Sequence, residues 1–204
     1  MMNWESLPCA QEIEVLFPRV WRWSAYSVHH KVELTSHAVM TEVGLIVIDP
    51  IPLDEAQQVR LETGAPVQGV IITNANHFRA TGQWRGKKIY TASLDLVGEP
   101  NLEILDPESL NVLGLQIISL PGGPGGEIAL FDSEKKLLIM GDALVNLPTR
   151  GLEVLPANYC DDEPLLRKSL ANLLALNFDR LLCAHGSPIM TGAKLQLEEL
   201  LAKF

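Results

Sequence analysis

The sequence has little cysteine, no long apolar run and no basic N-terminal segment. Its three cysteines, Cys9, Cys160 and Cys183, are odd in number and far apart, which is typical of free thiols in a reducing cytoplasm rather than of a disulfide framework. No apolar run approaches the length needed to span a membrane. Residues 1–5 lack the basic region and the following apolar stretch of a secretory signal. We therefore expect a cytoplasmic protein.

Basic residues are also scarce. The 204 residues include 16 Lys and Arg against 25 Asp and Glu, for a formal net charge of −9. Because nucleic acids and anionic membranes usually select basic patches, this balance argues against both as partners and leaves a small molecule as the expected one. A hydrophobic content of 47% is enough to bury the core of a single globular domain over residues 1–204.

Predicted strands dominate the first two thirds of the chain. Residues 20–24 alternate in polarity, and residues 44–49 form a continuous apolar run that ends at an aspartate. Further strands are predicted over residues 32–39, 70–73, 87–90, 104–106, 112–120, 128–131, 137–140 and 181–184. The polar segment 132–135 predicts a hairpin between the two strands that flank it.

Helices are predicted mainly in the last third. Residues 53–63 are helical in composition, with Gly64 as the stop. Asp162 is predicted to cap a helix with an apolar stripe, and Thr191 to cap a final amphipathic helix that runs to Phe204. A strand-rich region closed by a helix–strand–helix end fits an α/β fold of the αββα sandwich type.

Polar residues follow several of the predicted buried strands. The segments are residues 73–79 (Thr-Asn-Ala-Asn-His-Phe-Arg), a Gly-rich turn at 121–126, Gly-Asp at 141–142 and Ala-His-Gly at 184–186. Strand ends deliver loop side chains to shared sites, so these segments predict a cluster at one edge of the sheets. Its expected members are Asn74, Asn76, Arg79, Asp142 and His185.

This order of segments resembles the metallo-β-lactamase superfamily. There, one strand ends in T-H-x-H-x-D-H, and later segments read P-G-H-T-P-G-S, G-D and G-H-G. The resemblance covers residues 18–190 approximately and implies the four-layer αββα fold directly. In the family, two zinc ions at one edge of the sheets lower the pKa of a bound water, which attacks a carbonyl or phosphoryl centre.

The resemblance also implies that most of the zinc ligands are replaced. The motif positions fall on Asn74, Asn76, Phe78 and Arg79 in the first segment, on Gly123 in the Gly-rich turn, and on Asp49, Asp142 and His185 elsewhere. Carboxamides are weak zinc ligands, and arginine does not deprotonate to bind a metal. The remaining metal ligands, Asp142 and His185, fall short of the three that a catalytic zinc normally has. We expect no metal or one weakly bound divalent ion, zinc before others, rather than a dinuclear zinc centre.

Several other side chains have two interpretations. His77 is either a displaced third metal ligand or a loop histidine with a local hydrogen bond. His29 and His30 fit an exposed hairpin, and His37 fits a strand. Cys183 is interpreted as a buried apolar thiol rather than as a nucleophile.

Two functions stay open at this stage. The first is a divergent hydrolase of a small ester, thioester or lactone. Its catalytic residues would be Asp142, His185 and His77, and its binding residues Asn74, Asn76 and Arg79. The second is a catalytically inactive protein of the same fold that binds a small ligand or interacts with another protein. A homodimer through the leucine-rich C-terminal helix is open in either case.

A last expectation concerns Arg79, which stands where the family has a zinc-binding histidine. Without zinc, Asp142 is a partly buried carboxylate that needs a cation or hydrogen bonds. The planar guanidinium fork suits a bidentate carboxylate pair. We therefore predict that Arg79 pairs with Asp142, while Asn74 and Asn76 supply hydrogen bonds beside it.

Overall fold

A computed structural model of the chain describes residues 7–106 and 111–204. None of the helices in these two ranges has the length and apolar composition needed to cross a bilayer. The expectation about a secretory signal concerns residues 1–5 and lies outside the described residues.

Within residues 7–106 and 111–204, two mixed sheets form the centre of the fold. The first has seven strands in chain order: β1 (Glu14–Phe17), β2 (Val20–Ser27), β3 (Val32–Thr41), β4 (Gly44–Ile48), β5 (Val67–Ile72), β6 (Lys88–Thr91) and β7 (Leu102–Ile104). Its neighbours are antiparallel from β1 to β4 and parallel from β4 to β7. The second sheet contains β8 (Asn111–Val112), β9 (Leu115–Ser119), β10 (Ile128–Asp132), β11 (Leu137–Met140) and β14 (Arg180–Cys183). Between β11 and β14 in the chain, β12 (Leu144–Leu147) and β13 (Gly151–Val154) form a separate two-stranded sheet. The strand order of this second sheet is β14-β11-β10-β9-β8. Its described neighbours β11 and β14 are parallel, and its other described neighbours are antiparallel.

The hairpin predicted at segment 132–135 is confirmed, because β10 and β11 pair antiparallel across it. The single strand predicted over residues 112–120 is interrupted. Leu113 and Gly114 have φ values of 51° and 82° and form a tight turn between β8 and β9. The turn lets the two short strands pair with each other.

The described part of the chain has three α-helices, which lie on the outside: α1 (Glu55–Thr63), α2 (Glu163–Asn172) and α3 (Ala193–Leu201). The predicted cap of α2 is confirmed, since the Asp162 side chain accepts a hydrogen bond from the Leu165 amide. The predicted Thr191 cap of α3 is wrong. Gly192, with φ 69°, is the N-cap, and its amide donates to Asp179 Oδ1 at 2.7 Å. A side chain distant in sequence therefore binds the amide that precedes this helix.

Alternate residues of the central strands enter different cores, because successive side chains point to opposite faces. In β4, Ile46 lies in the core between the sheets and Val47 in the core beneath α1. In β10, Leu130 lies between the sheets and Ala129 in the core beneath α2 and α3. Both faces of each sheet are thus buried, and the predicted four-layer αββα sandwich is confirmed.

The same topology places the polar segments together. Strands β4 and β5 are parallel neighbours in one sheet, and β11 and β14 are parallel neighbours in the other. Parallel neighbours end at the same edge of a sheet. The residues that follow these four strands include Asp49, Thr73, Asp142 and His185.

Candidate active site

Asp142 is the centre of the cluster at this edge. Its Oδ1 lies 3.1 Å from His77 Nε2 and 3.0 Å from His185 Nε2. Its Oδ2 accepts a hydrogen bond from Asn74 Nδ2 at 3.2 Å. Loops after β5, β11 and β14 therefore bring an amide, a carboxylate and two imidazoles into direct contact.

His77 is held from the side away from Asp142. It ends a short 3-10 turn, Ala75–His77, and its side chain is buried. Its Nδ1 lies 2.9 Å from Asp49 Oδ2, and the Thr73 hydroxyl donates to the same oxygen at 2.6 Å. The carboxylate of Asp49 thus orients the ring so that Nε2 points towards Asp142.

His185 has an equivalent arrangement with a different acceptor. Its Nδ1 lies 3.0 Å from the backbone carbonyl oxygen of Glu33 in β3. Because a carbonyl only accepts hydrogen bonds, Nδ1 donates to it, and Nε2 is the ring nitrogen that faces Asp142. Gly186 follows with φ 94° and lies directly against the Asn146 backbone, which places this loop.

The three side chains form a group that could hold a metal ion. The ligand atoms of His77, Asp142 and His185 lie within 4.8 Å of one another. Ligand atoms about 2.0 Å from a tetrahedral zinc are about 3.3 Å apart, so the two nitrogen-to-oxygen separations near 3 Å need little adjustment. Two imidazoles and one carboxylate are also a donor set that zinc and iron accept. Metal-binding histidines usually donate the other ring N–H to a carboxylate or carbonyl, as both do here. The residues fit one ion.

The charges of the cluster balance each other. Burial and the nearby Arg79 act to lower the pKa of His77, but Asp142 and Asp49 outweigh them and raise this pKa to about 9. Burial alone raises the pKa of Asp142, yet His77 and His185 hold it well below its usual range. Without a bound metal ion, His77 is therefore a cation at neutral pH that donates to two carboxylates, and a metal ion at Nε2 would displace the proton on that atom.

Glu127 is a member of the site that the sequence analysis missed. It is buried at the end of the Gly-rich turn, and it accepts hydrogen bonds from Asn74 Nδ2 at 2.6 Å and from the Ala143 amide at 3.0 Å. Burial and the charge of Asp142 raise the pKa of Glu127 to about 8, so the side chain is mostly protonated at neutral pH. An acidic residue directly before the apolar run 128–131 of β10 was the available signal.

Arg79 does not take the position that we predicted. Among the described residues it has no carboxylate within 4.0 Å, and His77 lies between Asp49 and Asp142 instead. The 3-10 turn after β5 directs His77, rather than Arg79, into the cluster. The predicted Arg79–Asp142 pair is wrong. His77 supplies the cation that Asp142 requires. Its position beside Asp142 and His185 also supports the interpretation of His77 as a third metal ligand.

Two cavities share Asn76 and Arg79 as lining residues, and one of them reaches the cluster. A cavity of about 550 Å³ is lined by Asp142, His77 and His185 on one side and by Asn76 and Arg79 on another. A larger cavity of about 860 Å³ does not reach the cluster, but Asn76 and Arg79 line it as well. The group that could hold a metal ion lies on the wall of the smaller cavity. Asn76 itself is exposed, and only its backbone amide contacts Asn74.

The remaining candidates lie where the sequence indicated. His29 and His30 are exposed in the turn between β2 and β3, although His30 also lines the smaller cavity. His37 is buried in β3. Cys183 is buried in the core, and burial raises the pKa of its thiol to about 12, so it is not a nucleophile at neutral pH. The three cysteines are free, as predicted.

Comparison with known proteins assigns the family. A family model described as the metallo-β-lactamase superfamily matches residues 14–204. The chain therefore belongs to the metallo-β-lactamase superfamily, as the order of its strand-end segments predicted. No curated protein matches the sequence.

Solved structures of the same fold are similar over nearly the whole chain. The DIM-1 metallo-β-lactamase is 17% identical with a TM-score of 0.74, covering 97% of this chain and 99% of that chain. A metallo-β-lactamase from Pontibacter korlensis is 18% identical with a TM-score of 0.72, covering 95% and 99%. A β-lactamase domain protein from Burkholderia ambifaria is 18% identical with a TM-score of 0.69, covering 94% and 72%. Identities this low show the fold and leave the reaction open.

Proposed function

We propose that this protein is a hydrolase of a small ester, thioester or lactone that uses one divalent metal ion, with zinc as the first candidate. His77, Asp142 and His185 would hold the ion. The observation that carries the proposal is the pairing of both Nδ1 atoms, one with the Asp49 carboxylate and one with the Glu33 carbonyl. Each pairing leaves Nε2 directed at the same carboxylate oxygen, which is the arrangement of metal-binding histidines.

The residues around this group support the reaction in distinct ways. An ion bound here would activate water and polarise a carbonyl group. Asp49 and the Glu33 carbonyl fix the two imidazole rings, and the cavity of about 550 Å³ beside Asp142 has the size of a small-molecule site. The walls of that cavity include Asn76 and Arg79, which can orient a polar substrate.

One ion rather than two is supported by the contacts of Asn74. Its amide nitrogen donates to Glu127 and to Asp142, and its amide oxygen accepts from the Asn76 backbone. Both ends of the side chain are therefore engaged within the protein. Since a carboxamide is also a weak zinc ligand, the position supports no second metal.

A second candidate function is an inactive ligand-binding protein on the same fold. The observation in its favour is that Asp142 already has three hydrogen-bonding partners, two of them imidazoles. A carboxylate so compensated is stable without a metal. The two candidates differ in metal content and turnover, which can be measured together.

The test is metal analysis of protein purified without chelator, combined with a panel of small esters, thioesters and lactones. We expect close to one equivalent of a divalent metal per chain, and turnover that chelation abolishes and metal restores. His77→Gln should lower metal affinity and turnover by at least about 100-fold. His29→Gln, which changes an exposed histidine in the β2–β3 turn, is the matched control. Protein without stoichiometric metal and without turnover would support the inactive candidate instead.

We also propose a cytoplasmic location and a small-molecule partner. The three free thiols and the formal net charge of −9 support these assignments. Fractionation of the native cells, with detection by antibody, tests the location.

A further inference from the structure

Arg79 is a buried cation without a direct partner. Its residue is 9% exposed, and Nη1 is buried with no hydrogen bond. Across residues 7–106 and 111–204, no group accepts a hydrogen bond from its guanidinium or forms an ion pair with it within 4.0 Å. A guanidinium has five N–H donors, and burying them unpaired is costly. Packing therefore does not explain why an arginine lies here.

The position of Arg79 relates it to both cavities. It lines the smaller cavity together with Asp142 and His185, and it lines the larger cavity together with Phe78 and Trp84. A ligand in the smaller cavity can thus contact Arg79 while its carbonyl group faces the histidine cluster. Trp84 Nε1 is a second buried donor without a partner on the wall of the larger cavity.

Charges around the larger cavity favour a ligand with one negative charge. Its lining includes Arg85 and Lys87, which balance Asp95 and Glu99. Arg79 is then the one positive charge that no carboxylate among these lining residues offsets. A ligand with a single anionic group would neutralise it. Asp49 and Asp142 interact electrostatically with Arg79 without touching it, so a dianion such as phosphate would meet more repulsion than a monoanion.

We propose that Arg79 is the anchor for a substrate carboxylate. The planar fork binds a carboxylate through two parallel hydrogen bonds. The substrate is then a small carboxylate-bearing ester, thioester or lactone, with an apolar part directed towards Phe78 and Trp84 in the larger cavity. The catalytic part of this inference rests on the proposed hydrolase function, whereas the carboxylate site itself does not.

The experiment measures binding directly by titration calorimetry, with no turnover involved. Phenylacetate is the probe, phenylacetamide is its uncharged counterpart, and inorganic phosphate is the competing anion. We expect saturable phenylacetate binding, at least about 10-fold weaker binding of phenylacetamide, and a loss of about 10- to 100-fold in Arg79→Gln. Arg79→Lys should recover only part of the affinity, because a single ammonium group lacks the fork.

Arg60→Gln is the matched control, since Arg60 in α1 is exposed, lines neither cavity and undergoes the same change of charge. Its phenylacetate Kd should stay within about twofold of the wild-type value. Equal losses in both variants, unchanged binding in Arg79→Gln, no saturable binding, or tighter binding of phosphate would each overturn the inference. Circular dichroism of each variant confirms folding, and if Arg79→Gln does not fold, the comparison with Arg79→Lys decides.

Repeating the titrations after chelator treatment separates this inference from the proposed function. Carboxylate binding that depends on Arg79 in the chelated protein supports the anchor even when no hydrolysis is found. Hydrolysis without any effect of Arg79→Gln on carboxylate binding supports the enzyme and overturns the anchor.

Discussion

The side chain of Asn74 joins two buried carboxyl groups. Its Nδ2 lies 2.6 Å from Glu127 Oε2 and 3.2 Å from Asp142 Oδ2. An aspartate has nearly the same shape but has no N–H to donate. The amide is therefore the group that lets two acidic side chains lie so close together.

Asn74→Asp should lower the free energy of unfolding by about 2 kcal/mol or more, because it removes both hydrogen bonds and adds a third carboxyl group. Urea unfolding at pH 7 measures the change. Asn76→Asp makes the same substitution two residues later at an exposed position and should stay within about 0.5 kcal/mol of wild type. Similar losses in the two variants would show that Asn74 has no special role.

At the scale of elements, the connection after β14 positions His185. Gly186 has φ 94°, in the left-handed region, and a Cβ there would overlap the Asn146 backbone oxygen. The same loop bonds to β12, since the Asn146 amide donates to the His185 carbonyl at 3.1 Å. Close backbone approach between β12 and this loop therefore depends on glycine.

Gly186→Ala should destabilise the protein by about 2 kcal/mol or more, because the added methyl group clashes and the backbone is strained. Thermal and urea unfolding measure the loss, and metal affinity should fall with it if His185 is a ligand. Gly64→Ala serves as the control, since Gly64 has a negative φ and no atom within 4 Å of the added Cβ. A Gly186→Ala protein as stable as Gly64→Ala would contradict the close approach.

At the scale of the whole molecule, a buried histidine makes stability depend on pH. Burial lowers the pKa of His37 from 6.5 to about 3, although Asp49 acts in the opposite direction. Between these values the unfolded chain binds a proton and the folded chain does not. The contribution of His37 therefore rises with pH in this window and is lost as the pH falls from about 6.5 towards 3.

His37→Gln should remove that dependence. The unfolding free energy of wild type minus that of the variant should fall by about 1.4 kcal/mol per unit as the pH is lowered from 6 to 4. Glu127, whose pKa is raised to about 8, contributes with the opposite sign, but equally in both proteins. Urea unfolding at half-unit steps gives the two curves. Parallel curves would mean that His37 is protonated in the folded protein.

The fold could be predicted from the sequence because its signals are local. Apolar runs such as that of β4, and the hairpin signal between β10 and β11, depend on neighbouring residues alone, and burial on both faces of such strands requires covering layers. The cap of α2 is local in the same way, because Asp162 accepts from the Leu165 amide three residues later. At the start of α3 the Gly192 amide donates to Asp179, thirteen residues away, and no local pattern predicts that contact.

The site depended on contacts that no local pattern contains. His77 meets Asp49 across 28 residues of sequence, and His185 meets the Glu33 carbonyl across 152. The sequence placed His77 and Arg79 in one loop but did not determine which of them would enter the cluster. The 3-10 turn after β5 determines which one enters, because its backbone directs the His77 imidazole between two carboxylates. The Arg79 guanidinium lies on the cavity wall instead.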